Sequence, residues 1–143
     1  MKMTEFERFK EILRNHDVSV TTARSRIFST LLKTSQPLKK GEIAARTPEV
    51  NRASVYRALD LFDRLGITTT MVRGWTPFVE LAEPFKPHHH HLLCTSCHQL
   101  IALDNAELEQ IIQTLAASHG YELSLHHIEL EGLCPRCQAT AVS

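Results

Sequence analysis

The sequence predicts an α+β protein of two small domains, the first helical and closed by a β-hairpin, the second built around bound metal. Three observations carry this. Capped segments with helical apolar spacing run from Thr4 to Gly66 and then give way to short β-rich runs. Two Cys-x-x-Cys pairs, Cys94/Cys97 and Cys134/Cys137, account for all four cysteines. Residues 88–143 hold those cysteines and eight of the nine histidines, whereas residues 1–87 hold 15 of the 16 Lys and Arg.

Thr4-Glu5-Phe6-Glu7 fits a capping box, and Phe6, Phe9, Ile12 and Leu13 then recur at helical spacing. Asn15–Ser19 break the pattern. Thr21 or Thr22 caps a second helix that carries Ile27, Phe28, Leu31 and Leu32 on one side. Pro37 separates it from a short third helix around Lys40–Arg46, which Pro48 ends. Asn51 caps a fourth, with Val55, Leu59, Phe62 and Leu65 as its apolar stripe and Gly66 as its stop. Ile67–Val72 and Phe78–Leu81 read as strands joined by a turn over Arg73–Pro77. Several short helices followed by a small hairpin form the winged helix-turn-helix pattern.

Glu83-Pro84-Phe85-Lys86-Pro87 reads as an extended linker and sets the domain limits at 1–82, 83–87 and 88–143. Beyond it, His88–Cys94 and Leu100–Leu103 read as strands around a cysteine knuckle. Asp104 or Asn105 caps a helix to about Ser118 whose Leu108, Ile111, Ile112 and Leu115 are expected to face a core, and Tyr121–Leu133 supplies one more strand, or two with a bend.

The formal net charge is zero, but residues 1–87 carry +5 (15 basic, 10 acidic) and residues 88–143 carry −5 (one basic, six acidic). A basic first half suits a polyanion, because counterion release from phosphates drives nucleic-acid affinity. No apolar run approaches the roughly 20 residues of a membrane helix, and Met1-Lys2-Met3-Thr4-Glu5 lacks the apolar core of a signal peptide, so a cytoplasmic location is expected. In a reducing compartment paired cysteines are metal ligands or redox groups before they are disulfides. The gap of two residues lets both sulfurs of a knuckle reach one ion at about 2.3 Å, and two knuckles complete a tetrahedron, which makes Cys94, Cys97, Cys134 and Cys137 a structural zinc site. The redox alternative needs a helix N-terminus at the pair, and the six residues Gln138–Ser143 are too few for a helix after Cys137.

His88-His89-His90-His91 is the sharpest feature. On a strand, alternate side chains face opposite sides, so His88 and His90 serve one ion and His89 and His91 another. The run lies mid-chain and leads directly into Leu92-Leu93-Cys94, which sets aside an expression tag. The zinc hydrolase or deaminase signature H-x-E…P-C-x-x-C is missing, so no enzyme and no small-molecule substrate are expected. A zinc-buffering module explains the Cys/His half but not the basic helical half.

Asn51–Gly66, Phe78-Val-Glu-Leu81, His88–Leu92, Cys-x-x-Cys, His119-Gly120 and the closing Gly132-Leu-Cys-x-x-Cys together resemble the ferric uptake regulator (Fur) family, in order from about Val20 to Cys137. The resemblance implies a winged-helix DNA-binding domain joined by a hinge to an α/β dimerisation domain with a four-cysteine zinc site. It also implies a homodimer, a double-stranded DNA operator and repression when a regulatory metal is bound. Carried over, a hinge sensor site uses Glu80, His89 and His91, and a second site uses His88, His90, Glu109 and His126. The chain departs from the iron-sensing pattern at three positions. Pro37 stands where the DNA-binding domain often donates a histidine, Ala102 where a carboxylate is frequent, and His90 where an aspartate is frequent. Glu83 or His16 could complete the hinge shell. The uninterrupted histidine run looks closer to the zinc-uptake-regulator branch, and three imidazoles with one carboxylate suit zinc. The regulatory ion expected is therefore Zn2+, with Fe2+ as the alternative.

In helix-turn-helix proteins the second helix enters the major groove. Here it is Asn51–Leu65, which presents Ser54, Tyr56 and Arg57 opposite its apolar stripe; Arg57 can bond a guanine bidentately, and Tyr56 can touch a thymine methyl or a phosphate. Arg24 is expected on phosphate, with Arg52 and Lys40 as further contacts. Trp75 reads equally as a groove contact or as packing.

Overall fold

The computed structural model describes residues 2–141, so the outer limits of the expected domains, 1 and 143, lie outside the described residues. The chain divides after Pro87 into two compact units, which places Glu83–Pro87 with the first.

In the first unit α1 (Glu5–Asn15), α2 (Thr22–Leu32), α3 (Lys40–Ala45) and α4 (Arg52–Arg64) precede β1 (Thr68–Arg73) and β2 (Thr76–Leu81). The capping box on Thr4 and Glu7 forms, and Thr21 and Asn51 accept from the backbone N–H groups of Arg24 and Ser54. Each cap satisfies a donor that the helix itself cannot. α4 stops where Gly66, at φ +69°, lets its own N–H reach Asp63 and that of Ile67 reach Phe62. α1 stops in the same way, but with Asp17 at φ +55°; the sequence offered no glycine there to mark the stop.

The core of this unit is aromatic. Phe9 and Phe28 stack at 4.1 Å, with Phe62 edge-on to Phe9 at 5.4 Å, and all three are fully buried. Thr47, 1% exposed in the turn before α4, meets the Thr30 hydroxyl at 2.9 Å and donates to the Ile43 carbonyl. That pins the helix-turn-helix turn onto α2. The hairpin turn is shorter than expected: Gly74 and Trp75 alone form it, with Arg73 opposite Thr76 and Pro77 inside β2 opposite Val72. Gly74 at φ +59° supplies the backbone twist of a two-residue turn, and proline is tolerated in a ribbon with a free edge. Leu38 bridges Val79 and ties the approach to α3 to the hairpin.

In the second unit β3 (His90–Cys94) lies between antiparallel β4 (Leu100–Leu103) and parallel β5 (Glu129–Gly132), with α5 (Ala106–Ser118) as the crossover and α6 (Pro135–Ala141) at the end. Three sequence expectations are corrected here. Strand β3 begins at His90, not His88, although the alternation of the run survives. Only Glu129–Gly132 of the expected Tyr121–Leu133 strand pairs, since parallel pairing begins at His91↔Glu129. And α5 buries nothing: Leu108 and Ile112 are half-buried, while Ile111 and Leu115 are 65% and 62% exposed. Strands of four and five residues are too short to cover a helix face of that size. Among the described residues of this unit only His90, His91 and Cys94 are buried.

Replacing Phe28 by Ala should therefore cost about 3–5 kcal/mol in the unfolding of the first unit, measured by chemical denaturation; a loss below about 1 kcal/mol would contradict the aromatic core.

Candidate metal centres and nucleic-acid interface

The four cysteines come from four places in the second unit. Cys94 ends β3, Cys97 sits in the knuckle before β4, Cys134 follows β5, and Cys137 lies in the first turn of α6. Parallel pairing sets Cys94 against Gly132, and the Thr95 N–H donates to the Gly132 carbonyl at 2.8 Å, which draws the two knuckles together. The Cys134 N–H donates to Cys94 Sγ at 3.4 Å, and Cys97 Sγ lies 3.8 Å from Cys134 Sγ. A tetrahedron with metal–sulfur bonds of about 2.3 Å has edges of about 3.8 Å, so this spacing fits a shared zinc and is far too long for a disulfide. All four sulfurs lie within 4.8 Å of one another.

Helix α6 overturns one argument made from the sequence: Cys134-Pro-Arg-Cys137 does open a helix. What separates it from a redox pair is that the other two thiols close on it. Backbone N–H groups of Cys134 and Cys97 aimed at its sulfur hold the Cys94 thiol down at about 5. The Gln99 N–H likewise lowers Cys97, with Arg136, the one basic residue of the unit, assisting. Cys137 accepts help from Ser96, but crowding by Cys134, Cys97 and Cys94 outweighs it and pushes the thiol up to about 11.

The second cluster also lies wholly within this unit. His88 and His90 project to one side of the run, with ring centroids 4.8 Å apart. Glu109 comes from the first turns of α5, and His126 from the segment leading to β5. His90 Nε2 is 2.6 Å from Glu109 Oε1, and His126 Nε2 is 3.0 Å from Glu109 Oε2 and 3.0 Å from His88 Nε2. Burial raises the Glu109 carboxyl, but hydrogen bonds from His90 and His126 outweigh it and lower it below the ordinary range. Three imidazole nitrogens facing one ionised carboxylate are a donor set that a divalent ion accepts.

The sensor residues expected at the hinge belong to different units. In the second, the His89 and His91 rings pair at 4.8 Å on the opposite side of the run, and His91 is buried. Ala102 stands across from His91 in the β3–β4 ladder, where its methyl offers no ligand. In the first, Glu80 is 4% exposed, opposite Thr69, with Lys86 Nζ 3.9 Å from its carboxylate. Lys86 had no signal in the sequence beyond its place in the linker. Glu83 is exposed, and His16 is exposed with Nδ1 2.9 Å from the Ile12 carbonyl.

On α4 the polar side chains are paired in advance. Arg52 donates to the Tyr56 hydroxyl at 2.8 Å, and Arg57 donates to the Ser54 hydroxyl at 3.2 Å. Gly41 of α3 lies beneath the first pair, where a Cβ would come within 3.3 Å of Arg52. Arg24, at the start of α2, is held by the Ser19 carbonyl and hydroxyl. Arg24, Ser54 and Arg57 line a cleft of about 680 Å³ together with Arg64, two turns beyond Arg57 and overlooked in the sequence although seven-residue spacing puts both on one face. Lys40, by contrast, is engaged with Asp60.

The sequence profile of the ferric uptake regulator family matches residues 15–131. A ferric uptake regulation protein of Campylobacter jejuni is 34% identical over 139 residues, covering 92% of this chain and 87% of its own. The solved structure of the Vibrio cholerae ferric uptake regulator superposes with a TM-score of 0.71 at 28% identity, covering 88% of this chain and 99% of that one. The Helicobacter pylori ferric uptake regulator, described as having three functional metal-binding sites, shares the fold at a TM-score of 0.76 and 21% identity, over 96% and 97% of the two chains.

Zinc uptake by the metal-stripped chain should release protons, because all four sulfurs must become thiolates to ligate the ion, and the number released should fall as pH rises. Indicator-dye titration counts them, and uptake at pH 7 without proton release would contradict ligation by the four cysteines. His126→Ala should lower the metal content by one ion per chain and leave the cysteine-bound zinc in place.

Proposed function

The chain belongs to the ferric uptake regulator family, and from that premise we propose that it is a metal-responsive, DNA-binding transcriptional repressor, acting as a homodimer, with zinc as its regulatory ion. It is a regulator and not an enzyme. The observation that carries the reading is the presence of two donor sets of different chemistry in one unit, four sulfurs in one and three imidazoles with a carboxylate in the other. The sulfur set suits a permanent zinc; the mixed set suits a second ion, separate from the exchangeable one proposed for the hinge. Bound at these sites, a divalent ion supplies positive charge and a fixed coordination geometry.

The chain's own residues do the rest. Cys94, Cys97, Cys134 and Cys137 clip the last elements of the second unit to β3. His88, His90, Glu109 and His126 tie the start of β3, α5 and the segment before β5. Glu80, His89 and His91 are the sensor ligands at the hinge, with Glu83 or His16 as candidates to complete the shell. Ser54, Tyr56 and Arg57 meet bases in the major groove, supported by Arg52, while Arg24 and Arg64 meet phosphates. The exposed apolar side chains of α5 and the region around β5, Ile111, Leu115, Leu125 and Leu130, are the surface that a second copy covers. Such a dimer presents two reading heads to an operator of matching two-fold symmetry. No helix among the described residues is long and apolar enough to cross a membrane.

Three imidazoles and one carboxylate form a compact shell that zinc fills at four-coordination, whereas iron(II) calls for further oxygen donors. Iron(II) is the second reading, favoured by the 34% identity to a protein named for ferric uptake regulation. Anaerobic titration of metal-stripped protein, followed by gel shift on a duplex selected from a random pool, discriminates them. Because zinc outbinds iron(II) at most nitrogen–oxygen sites whichever ion is sensed, the readout is the extent of binding at saturation: zinc should restore it and saturating iron(II) should not, and full restoration by iron(II) would transfer the assignment to iron.

Replacing His89 and His91 together by Ala should abolish metal-dependent binding while the dimer persists in sedimentation; undiminished binding would remove both from the sensor. Arg57→Ala should weaken the selected duplex by about 10- to 100-fold, as expected for a lost bidentate base contact of about 1–3 kcal/mol.

A further inference from the structure

Glu80 is a carboxylate with little access to water: it lies on β2 opposite Thr69 and is 4% exposed. A buried carboxylate calls for a positive charge nearby. Lys86 supplies one, with Nζ 3.9 Å from Glu80 Oε2 and its own side chain 20% exposed. Its placement is built into the fold. Ala82 donates its N–H to the Ile67 carbonyl, and the Phe85 and Lys86 N–H groups both return to the Ala82 carbonyl, at 2.9 and 3.2 Å. The Phe85 ring stands edge-on to Phe28 at 4.9 Å, which anchors this turn in the aromatic core of the first unit. Lys86 is thereby held beside Glu80 by contacts within that unit. The pair itself is looser than the turn that carries it. At 3.9 Å it is longer than a charge-assisted hydrogen bond of about 2.7–2.9 Å, so attraction holds it without a fixed bond.

We propose that Lys86 is the resident counter-ion of the sensor carboxylate, which an arriving divalent ion must displace, so that Lys86 sets the free metal concentration at which the sensor fills. The proposal rests on the assignment of Glu80 as a sensor ligand and adds an affinity-setting residue to it. The exchange is cation for cation. The ion takes the Glu80 oxygen, and the ammonium turns on its four-carbon stem toward the solvent that it already touches. Two effects oppose the metal: the Lys86–Glu80 attraction is lost, and the ammonium and the ion repel at short range. Lys86 also stands three residues before His89 and five before His91, so one short stretch carries the competitor and two of the proposed ligands. An ion pair that merely braces the linker predicts the opposite sign, because its removal would loosen the turn and weaken metal binding.

The test uses the full chain with its cysteine-bound zinc retained, titrated with zinc(II) against a chromophoric chelator. Glu80→Gln identifies the sensor, as the uptake step that it weakens. Lys86→Met should tighten that same step by roughly 3- to 30-fold, the scale of one partly buried charge interaction, while Lys86→Arg, which keeps the charge, stays near the parent. In the Glu80→Gln background Lys86→Met should have no effect on zinc affinity. Unchanged or weakened affinity in Lys86→Met would overturn the counter-ion role and leave Glu80 as a ligand. An equal gain in the Glu80→Gln background would overturn it too, since the effect would not run through that carboxylate. Glu80→Gln that leaves every zinc step unchanged would overturn the sensor assignment of Glu80, and this inference with it.

Discussion

Four thiols meeting at one point are the constraint on which the second unit depends. Residues 88–141 bury no aliphatic or aromatic hydrocarbon side chain, and their buried members are His90, His91 and Cys94. A domain of this size closes only part of its apolar surface even with a proper core. Here short strands and a helix with an open face supply less still. Ligand bonds replace the missing hydrophobic enclosure, as in other small domains whose binding free energy for metal is their folding free energy. The geometry is prepared for this. In the folded unit backbone N–H groups aimed at the Cys94 sulfur favour its thiolate, the form that ligates, and parallel pairing of β3 with β5 brings the two knuckles within sulfur-to-sulfur reach.

The first unit is held by the opposite means. Phe9, Phe28 and Phe62 fill a conventional interior, and side-chain caps at Thr4, Thr21 and Asn51 set where the helices begin. Rigidity follows from that packing, and a rigid helix is what base reading needs. Arg52–Tyr56 and Ser54–Arg57 are already hydrogen-bonded along α4, so less side-chain freedom is lost when DNA arrives. Under the proposed mechanism the two units exchange free energy: an ion that strengthens DNA binding by some factor is itself bound more tightly on DNA by the same factor.

Much of this was legible in the residues, for reasons that can be named. Caps and stops are local, so Thr4/Glu7, Asn51 and Gly66 announced the helices without help from tertiary structure. The period of two in an extended chain sorted the four histidines into two pairs even though the strand itself begins only at His90. The misreadings share a different cause. Leu108, Ile111, Ile112 and Leu115 carry a true amphipathic pattern, but a pattern says that a face is to be covered, not that the same chain covers it. Helix α6 was missed because proline at its first turn and cysteines at its start read as a knuckle alone. Asp17 as a left-handed helix stop, Lys86 beside Glu80 and Arg64 in the cleft depend on folded geometry that no single residue type signals.

The central claim is that metal ligation, and not a hydrophobic interior, holds the second unit together. Hydrogen exchange read peptide by peptide, on the metal-loaded chain and after removal of metal by a chelator, tests it most directly. Protection across residues 88–141 should collapse on chelation while that of α1, α2 and α4 persists. Equal protection of both units before and after chelation would contradict the account.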